Sequence, residues 1–499
     1  MQTASLNFNK SLSLSESLFM LIWIGYLLFG PIILTQDIPV HLNTAAILPE
    51  LYFSPNSVFQ DWFQWNQNVF TNIFTQWAFI IPSRIFTPEN ASRIVLLSMT
   101  LNLIYGFKEL LKVFGVEKNS MFIYPFLLPV LFLKGFSNFY FSLGFLLFSL
   151  AFALNHLKGK PNNYVMLLSL LTLWAHPFTF MISIGIIIFL IIYFRDKIFT
   201  ANIKQRVYLL FLMLPAGILF LLNKGNKIPL NLQGWDTDFL WELLKNAHYW
   251  TGYNEIEKWP VLLFICIAIG CLLINTLRKP ERNSVFFTLL FILFILIYFK
   301  APVGENENLY IYDRVQMLIV IFLSVALALN TWPEPVRKFL KYISIAVPVI
   351  LLSIRHDNQK EIEKNYKQIQ MLCAEISPQT VVLPLVHNHT GSYALHAGIF
   401  LHSVQLPLAG KQVVVLDNYS AHTGVFPMVW KPGKDPYLLL GEHWEGQPSQ
   451  PDWKYIEELN IHYILELFPD ESLLIPDGFD IEARNATGIL YAKSKKIDR

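Results

Sequence analysis

The residues best suited to chemistry lie where apolar runs end. Asp37 follows the run 18–35 directly, in the stretch Gln36-Asp37-Ile38-Pro39-Val40-His41-Leu42-Asn43. A carboxylate at a lipid–water boundary is partly desolvated, which raises its basicity toward general-base use. A helix beginning after Pro39 places His41 and Asn43 at its start, beside Asp37. On the alternative reading Asp37 caps that helix and His41 is a polar boundary residue. Lys300 and Arg314 frame the short segment APVGENENLYIYD between two further runs. Arg suits phosphate because its planar fork donates two parallel bonds; long cationic side chains also anchor span ends by reaching for the interface. His176, just before Pro177 at the end of another run, suits a cavity wall or a buried hydrogen-bonded position. Arg84 is a further phosphate candidate, equally suited to lipid headgroups. The histidines His387, His389, His396, His402 and His422 near the C-terminus have no cysteine or acid beside them that completes a zinc set, and Cys266, Cys271 and Cys373 follow no disulfide or metal spacing.

The elements carrying these residues follow from composition. Of 499 residues, 54% are apolar and 15% charged, against about 25% charged in soluble domains, and the mean hydropathy is +0.42. This excludes disorder, a collagen-like fibre and an ordinary cytosolic enzyme, and it indicates a polytopic α-helical membrane protein. A net charge of +2 gives no reason to expect nucleic acid. Residues 1–354 carry 25 Lys/Arg and 18 Asp/Glu, and residues 355–499 carry 13 and 18. The chain therefore divides into a transmembrane body, 1–354, and a soluble domain, 355–499.

The apolar pattern predicts eleven spans: 18–35, 92–107, 121–133, 136–155, 163–175, 178–194, 207–222, 259–277, 284–299, 315–330 and 342–354. No small-x-small cleavage site follows the first, which reads as an uncleaved anchor. With the N-terminus in the cytoplasm, the inner segments hold 16 Lys/Arg and the longer outer ones 9. The positive-inside rule then places loop 36–91 and the C-terminal domain outside. The stretch 69–87 holds Asn72, Gln76, Pro82, Ser83 and Arg84, which hydrocarbon disfavours, and Trp62, Trp65 and Trp77 suit an interface. Residues 58–86 are therefore expected to form one or two interfacial helices. A span over 69–87 would instead put the C-terminus in the cytoplasm. In the tail, 357–376 reads as helix, then 381–386, 412–417, 462–467 and 488–493 as strands, with a helix over 453–460: a small α/β domain. No Gly-rich phosphate loop follows a strand, so nucleotide binding is not expected.

This layout resembles the GT-C superfamily of integral membrane glycosyltransferases: one span, a large outer loop opening on an acid, many more spans and an outer C-terminal domain. DIPVHLNTAAILPEL at 37–51, KGFSNFYFSLGFLLF at 134–148, AHPF at 175–178 and DNYSAHTGVFPMVW at 417–430 look like segments of its bacterial members. The resemblance implies a polyprenyl-phosphate-linked sugar as donor, membrane lipid around it, and a glycan, lipid or protein acceptor at the outer face of a bacterial inner or plasma membrane. It implies Asp37 as base with His41 beside it, Arg314, Lys300 and Arg84 as phosphate-binding cations, and His176, Asp61 and Glu50 lining the cavity. Many members carry paired acids in the first loop; here Asp37 stands with His41, so no cofactor is expected and a divalent metal has no support. Two other classes compete. A lipid or solute transporter calls for ionisable groups at mid-bilayer and inverted repeats, neither of which the sequence displays. A non-catalytic assembly protein on the same scaffold needs no second acid.

Overall fold

The computed structural model describes residues 14–54, 56–160, 162–194, 200–223, 236–301, 311–441, 451–469 and 474–494. The body is helical: α1 (Leu14–Phe29), α2 (Ile38–Phe53), α3 (Phe59–Trp62), α4 (Phe74–Ile85), α5 (Pro88–Lys112), α6 (Val130–Leu133), α7 (Ser137–Leu157), α8 (Tyr164–Ala175), α9 (Pro177–Tyr193), α10 (Ile203–Leu222), α11 (Thr237–Lys245), α12 (Lys258–Arg278), α13 (Arg282–Tyr298), α14 (Ile311–Leu329) and α15 (Glu334–Ala374). Among the described residues, α5, α7, α10, α12, α14 and α15 are long and apolar enough to cross a membrane, and α1, α8, α9 and α13 are shorter apolar helices. Small residues let two of them touch. A Cβ added at Gly106 of α5 would lie 2.6 Å from the Gly144 carbonyl oxygen of α7, and Asn102 donates to the Phe141 carbonyl at 2.7 Å.

The run 121–133 is not the α-helical span its apolarity suggests. It is a 3-10 helix over Glu117–Phe126 followed by α6, with Pro125 and Pro129 breaking the α ladder. It runs alongside α1 in the same direction. At one end Ser120 and Tyr124 donate to the Glu16 carboxylate, at 2.7 and 3.3 Å; at the other, the Gln36 and Asp37 amides donate to the carbonyls of Leu133 and Lys134, at 2.9 and 3.2 Å. Residues 119–134 are all buried. Irregular backbone can lie at that depth only when protein rather than lipid surrounds it.

The expected last span, 342–354, and the tail helix, 357–376, are one element. α15 runs unbroken for 41 residues, from the body into the tail. There a five-stranded sheet has the order β3-β2-β5-β7-β6. β2 (Thr380–Val386) is parallel to both β3 (Val413–Val415) and β5 (Tyr463–Leu467); β6 (Phe479–Arg484) and β7 (Gly488–Lys493) add antiparallel. Only the 3-10 turn Trp453–Tyr455 forms within the helix expected over 453–460. Short helices α16 (Gln405–Leu408), α17 (Tyr419–Thr423) and α18 (Pro436–Leu439) fill the connections.

The tail does not stand apart from the first loop. β1 (Phe63–Trp65) pairs antiparallel with β4 (Met428–Trp430). Trp62 and Phe63 are buried in one cluster with Val381, Met428 and Trp430. Of the stretch 58–86, only α4 is a helix of more than one turn with an exposed apolar side, formed by Trp77, Ile81 and Ile85. α2 is buried on all sides from Ile38 to Leu48, a pillar between body and tail. Its inward polar groups have tail partners: Asn43 donates to Gln405 at 3.2 Å, and Thr44 lies 3.4 Å from the Ser420 hydroxyl.

Candidate functional site

Asp37 occupies the N-cap position of α2, yet its side chain makes no capping bond. The helix-cap reading thus has no geometric basis. Three segments position the residue. The Lys134–Gly135 turn accepts its amide and presses on its backbone, with Gly135 at φ +78°. The tail loop donates the Gly398 amide to Gln36 at 3.1 Å. Tyr419 and His402 approach the carboxylate from the tail. Asp37 is 6% exposed. Burial pushes its carboxyl up to about 6, against the opposing pull of His402, a hydrogen bond from Tyr419, the Lys134 ammonium and a hydrogen bond from Gln36. A base with that value is ionised at neutral pH and is far stronger than an ordinary aspartate.

His402 is itself held. Its Nδ1 lies 3.2 Å from Asp417 Oδ2, both groups buried, and its ring stacks on Tyr419. Gln405 fixes the other Asp417 oxygen with a 2.8 Å bond. Asp417 follows β3, so this pair sits at the carboxyl end of a parallel strand. That end is where α/β sheets gather ligand-binding groups. His387, following β2, lies at the same end, 2.8 Å from Glu466.

His41 lies one turn along α2. Its Nδ1–H donates to the Gln76 carboxamide at 2.9 Å when that group also donates to the Asn72 and Ile73 carbonyls. Phe426 from the tail packs on the ring at 5.4 Å. Burial, with His402 adding to it, pushes His41 down to about 3, so it is neutral at physiological pH. It can accept a hydrogen bond at Nε2 but serves there neither as a cationic acid nor as an effective proton acceptor.

The stretch Lys134–Phe139 gathers the remaining groups. The Lys134 ammonium pairs with Asp313 at 2.9 Å, with side chains 9% and 1% exposed. Arg314 stacks its guanidinium over Phe136 and Phe139, at 5.3 and 5.9 Å. His176 sets its ring edge-on to Phe139 at 5.3 Å, and its buried Nδ1 has no hydrogen-bond partner among the described residues.

No family model, no curated protein and no solved structure matches this chain.

The structure thus sets Asp37 and His41 one turn apart at the start of α2, and groups Arg314 and His176 around Phe136 and Phe139 of the stretch that also holds Asp37. It separates the others. Glu50 lies thirteen residues along α2, about 20 Å from Asp37, where it pairs with Arg84 at 2.9 Å. Asp61 lines a different cavity, against the opposite end of the sheet. Lys300 is exposed just past α13, outside the buried cluster. Lys134, Asp313, His402, Asp417 and Tyr419 belong to the site although sequence reasoning gave none of them a role. The signal was partial: Lys134, Asp417 and Tyr419 fall inside the quoted motifs, and Asp313 adjoins Arg314 in the YIYD segment. Among the described residues no group of three or more His, Cys, Asp or Glu is arranged to hold a metal.

Proposed function

We propose that this chain is an integral membrane glycosyltransferase that moves a sugar from a polyprenyl-phosphate-linked donor to an acceptor at the outer face of the membrane. One observation carries the reading: a single short stretch, Lys134–Phe139, holds the basic Asp37 with the Lys134 ammonium acting on it and carries Arg314 over its Phe136 and Phe139 rings, so a base and two cations are organised by one segment. Asp37 takes the proton from an acceptor hydroxyl. The acceptor oxygen then forms its bond to the anomeric carbon as the bond from that carbon to the phosphate oxygen breaks, and the phosphate leaves as the anion. Arg314, with Lys134 behind it, neutralises that anion. In this reading the body crosses the membrane eleven times. The N-terminus is cytoplasmic, and loop 36–91 and the tail lie outside a bacterial plasma membrane.

Since Asp37 is 6% exposed, the acceptor reaches it only when the cover formed by Gln36, Tyr419 and the loop around Gly398 moves aside. The same burial favours a second reading, an assembly protein that keeps the scaffold without turnover. Purified protein assayed with a panel of polyprenyl-phosphate-linked sugars separates the two. Transfer that disappears in Asp37→Asn supports the enzyme, whereas transfer at the original rate in a stable Asp37→Asn protein removes it.

A further inference from the structure

A cavity of about 500 Å³ lies where α3 and the loop before it meet the amino ends of β2 and β5. It is a separate place from the Asp37 corner. β2 spans seven residues, roughly 20 Å, between Gln379 at this end and His387 at the other. The volume lies in the range of small-molecule sites. The lining is unusual for such a site because it is polar: the carboxamides of Asn56, Gln60, Gln379 and Asn460, the carboxylate of Asp61 and the imidazole of His462, with Trp62 behind them.

The charges restrict what fits. Among the described residues no Lys or Arg lines the cavity; of the cations around it, Lys434 sits over the Trp62 ring at 5.0 Å and Lys493 pairs with Glu457 at 2.8 Å. Burial and Lys493 push His462 down, against a backbone hydrogen bond at Asn460, and so favour its neutral form. With an exposed carboxylate and no Lys or Arg among the described lining residues, the site disfavours an anion such as phosphate. Asn56 and Asn460 each carry two donors and an acceptor; Gln60 and Gln379 each keep one donor and the oxygen beside the bonds they donate to the Leu51 carbonyl at 3.1 Å and to Gln412 at 3.5 Å; and Asp61 offers paired acceptors. That pattern matches a neutral ligand in which every substituent is both donor and acceptor, as in a ring of vicinal hydroxyls.

The backbone adds a second observation. Gln379 and Asn460 have φ of +62° and +43°, two of the six non-glycine residues with positive φ among those described. Asn tolerates this region; Gln does so at a cost. Glycine would hold the turn at 379 without strain but would bring no carboxamide to the cavity. Strain of this kind concentrates where a side chain has work beyond packing.

We infer that this polar cavity between the first loop and the amino ends of β2 and β5 is a binding site for a neutral saccharide. The site does not depend on the proposed transfer reaction.

The test uses full-length protein in detergent, titrated with neutral hexoses, N-acetylhexosamines and their disaccharides and followed by ligand-observed saturation-transfer NMR. Inorganic phosphate is the charged comparison. At least one neutral sugar should bind saturably in the millimolar range, and phosphate should not compete. Gln379→Gly should leave thermal stability equal or higher while weakening that sugar about tenfold, and Asp61→Ala, a change at an exposed residue, should weaken it as well. Asp37→Asn should bind it as the unaltered protein does, so failure of this site and failure of the transferase reading show up separately. No binding by any neutral sugar, or equal binding to the Gln379→Gly and Asp61→Ala proteins, overturns the assignment.

Discussion

Gly135 lies directly on the backbone of Asp37. A Cβ at Gly135 would come within 2.7 Å of the Asp37 nitrogen and 2.9 Å of the Ile38 nitrogen, and its φ of +78° already favours glycine. The position of the candidate base therefore depends on the absence of a side chain ninety-eight residues away. Gly135→Ala combines left-handed strain with overpacking and should destabilise the protein by roughly 2–4 kcal/mol. Thermal unfolding in detergent measures the loss. An Ala variant of unchanged stability would show that the two segments are not held this closely.

Asp37 should make stability depend on pH in a particular direction. Its folded value of about 6 lies above the ordinary 3.8, so between those values the folded state binds more protons than the unfolded one. The group's favourable contribution is complete below pH ~4 and is lost as pH rises through 6, a change of about 3 kcal/mol. Asp37→Asn lacks this component, so its stability curve should be flatter across that window and higher above it. Turnover in the unaltered protein should rise with pH to a plateau above about 6 and vanish in the Asn variant, since general-base help supplies ~10²–10⁴-fold. Parallel stability curves for the two proteins would contradict the burial of the carboxylate.

His402 is among the groups that hold the Asp37 carboxyl down against its burial. His402→Gln removes that influence without emptying the space. The acid limb of the pH–rate profile should move to higher pH, while the plateau falls less than it does in Asp37→Asn. An unmoved limb would confine His402 to bracing Asp417.

The Lys134–Asp313 pair is buried on both sides. Breaking such a pair leaves an uncompensated charge, so Lys134→Met or Asp313→Leu alone should cost roughly 3–5 kcal/mol, and the double variant should recover most of it. Additive losses in a double-mutant cycle would mean that the two residues act separately.

Loop 36–91 and the tail share one end of the body, which makes their sidedness a joint property. Cysteines placed at exposed Asp61 and Leu438, in a background with exposed Cys266 replaced, should react together with a membrane-impermeant maleimide. In the proposed orientation both react from outside in intact cells. Labelling of one without the other would break the β1–β4 connection.

Most helices could be read from apolar length alone, because burial and lipid contact impose the same composition on them. That is also why 121–133 misled. A segment enclosed by protein is as apolar as one facing lipid, and only Pro125 and Pro129 hinted at an irregular backbone. The strands rich in Val, Leu and Ile were evident, but β6, FDIEAR, is an exposed polar edge without that signature, and β1 and β4 are three residues each, paired across more than 360 positions. At the site, Asp37 stood out through its place after an apolar run. Glu50 and Arg84 were grouped with it because they share its loop, whereas the length of α2 carries them away. His402 and Lys134 join it through tertiary contacts that no local pattern encodes.

α15 imposes a constraint of phase. Arg355 is clamped to Glu257 at 2.6 Å and to the Leu128 carbonyl at 2.9 Å, and three turns later Tyr366 donates to Glu89 at 2.8 Å, with Ile362 and Ile369 buried on the same helix. One residue inserted between Arg355 and Tyr366 would rotate everything beyond it by about 100° and advance it by about 1.5 Å. β1 would then miss β4, and Tyr419 would swing away from Asp37. Along this stretch the chain can exchange side chains but not alter its length: seven added residues would nearly restore the angle yet advance everything beyond them by about 10 Å. The helix works as a ruler whose divisions are angles as well as distances.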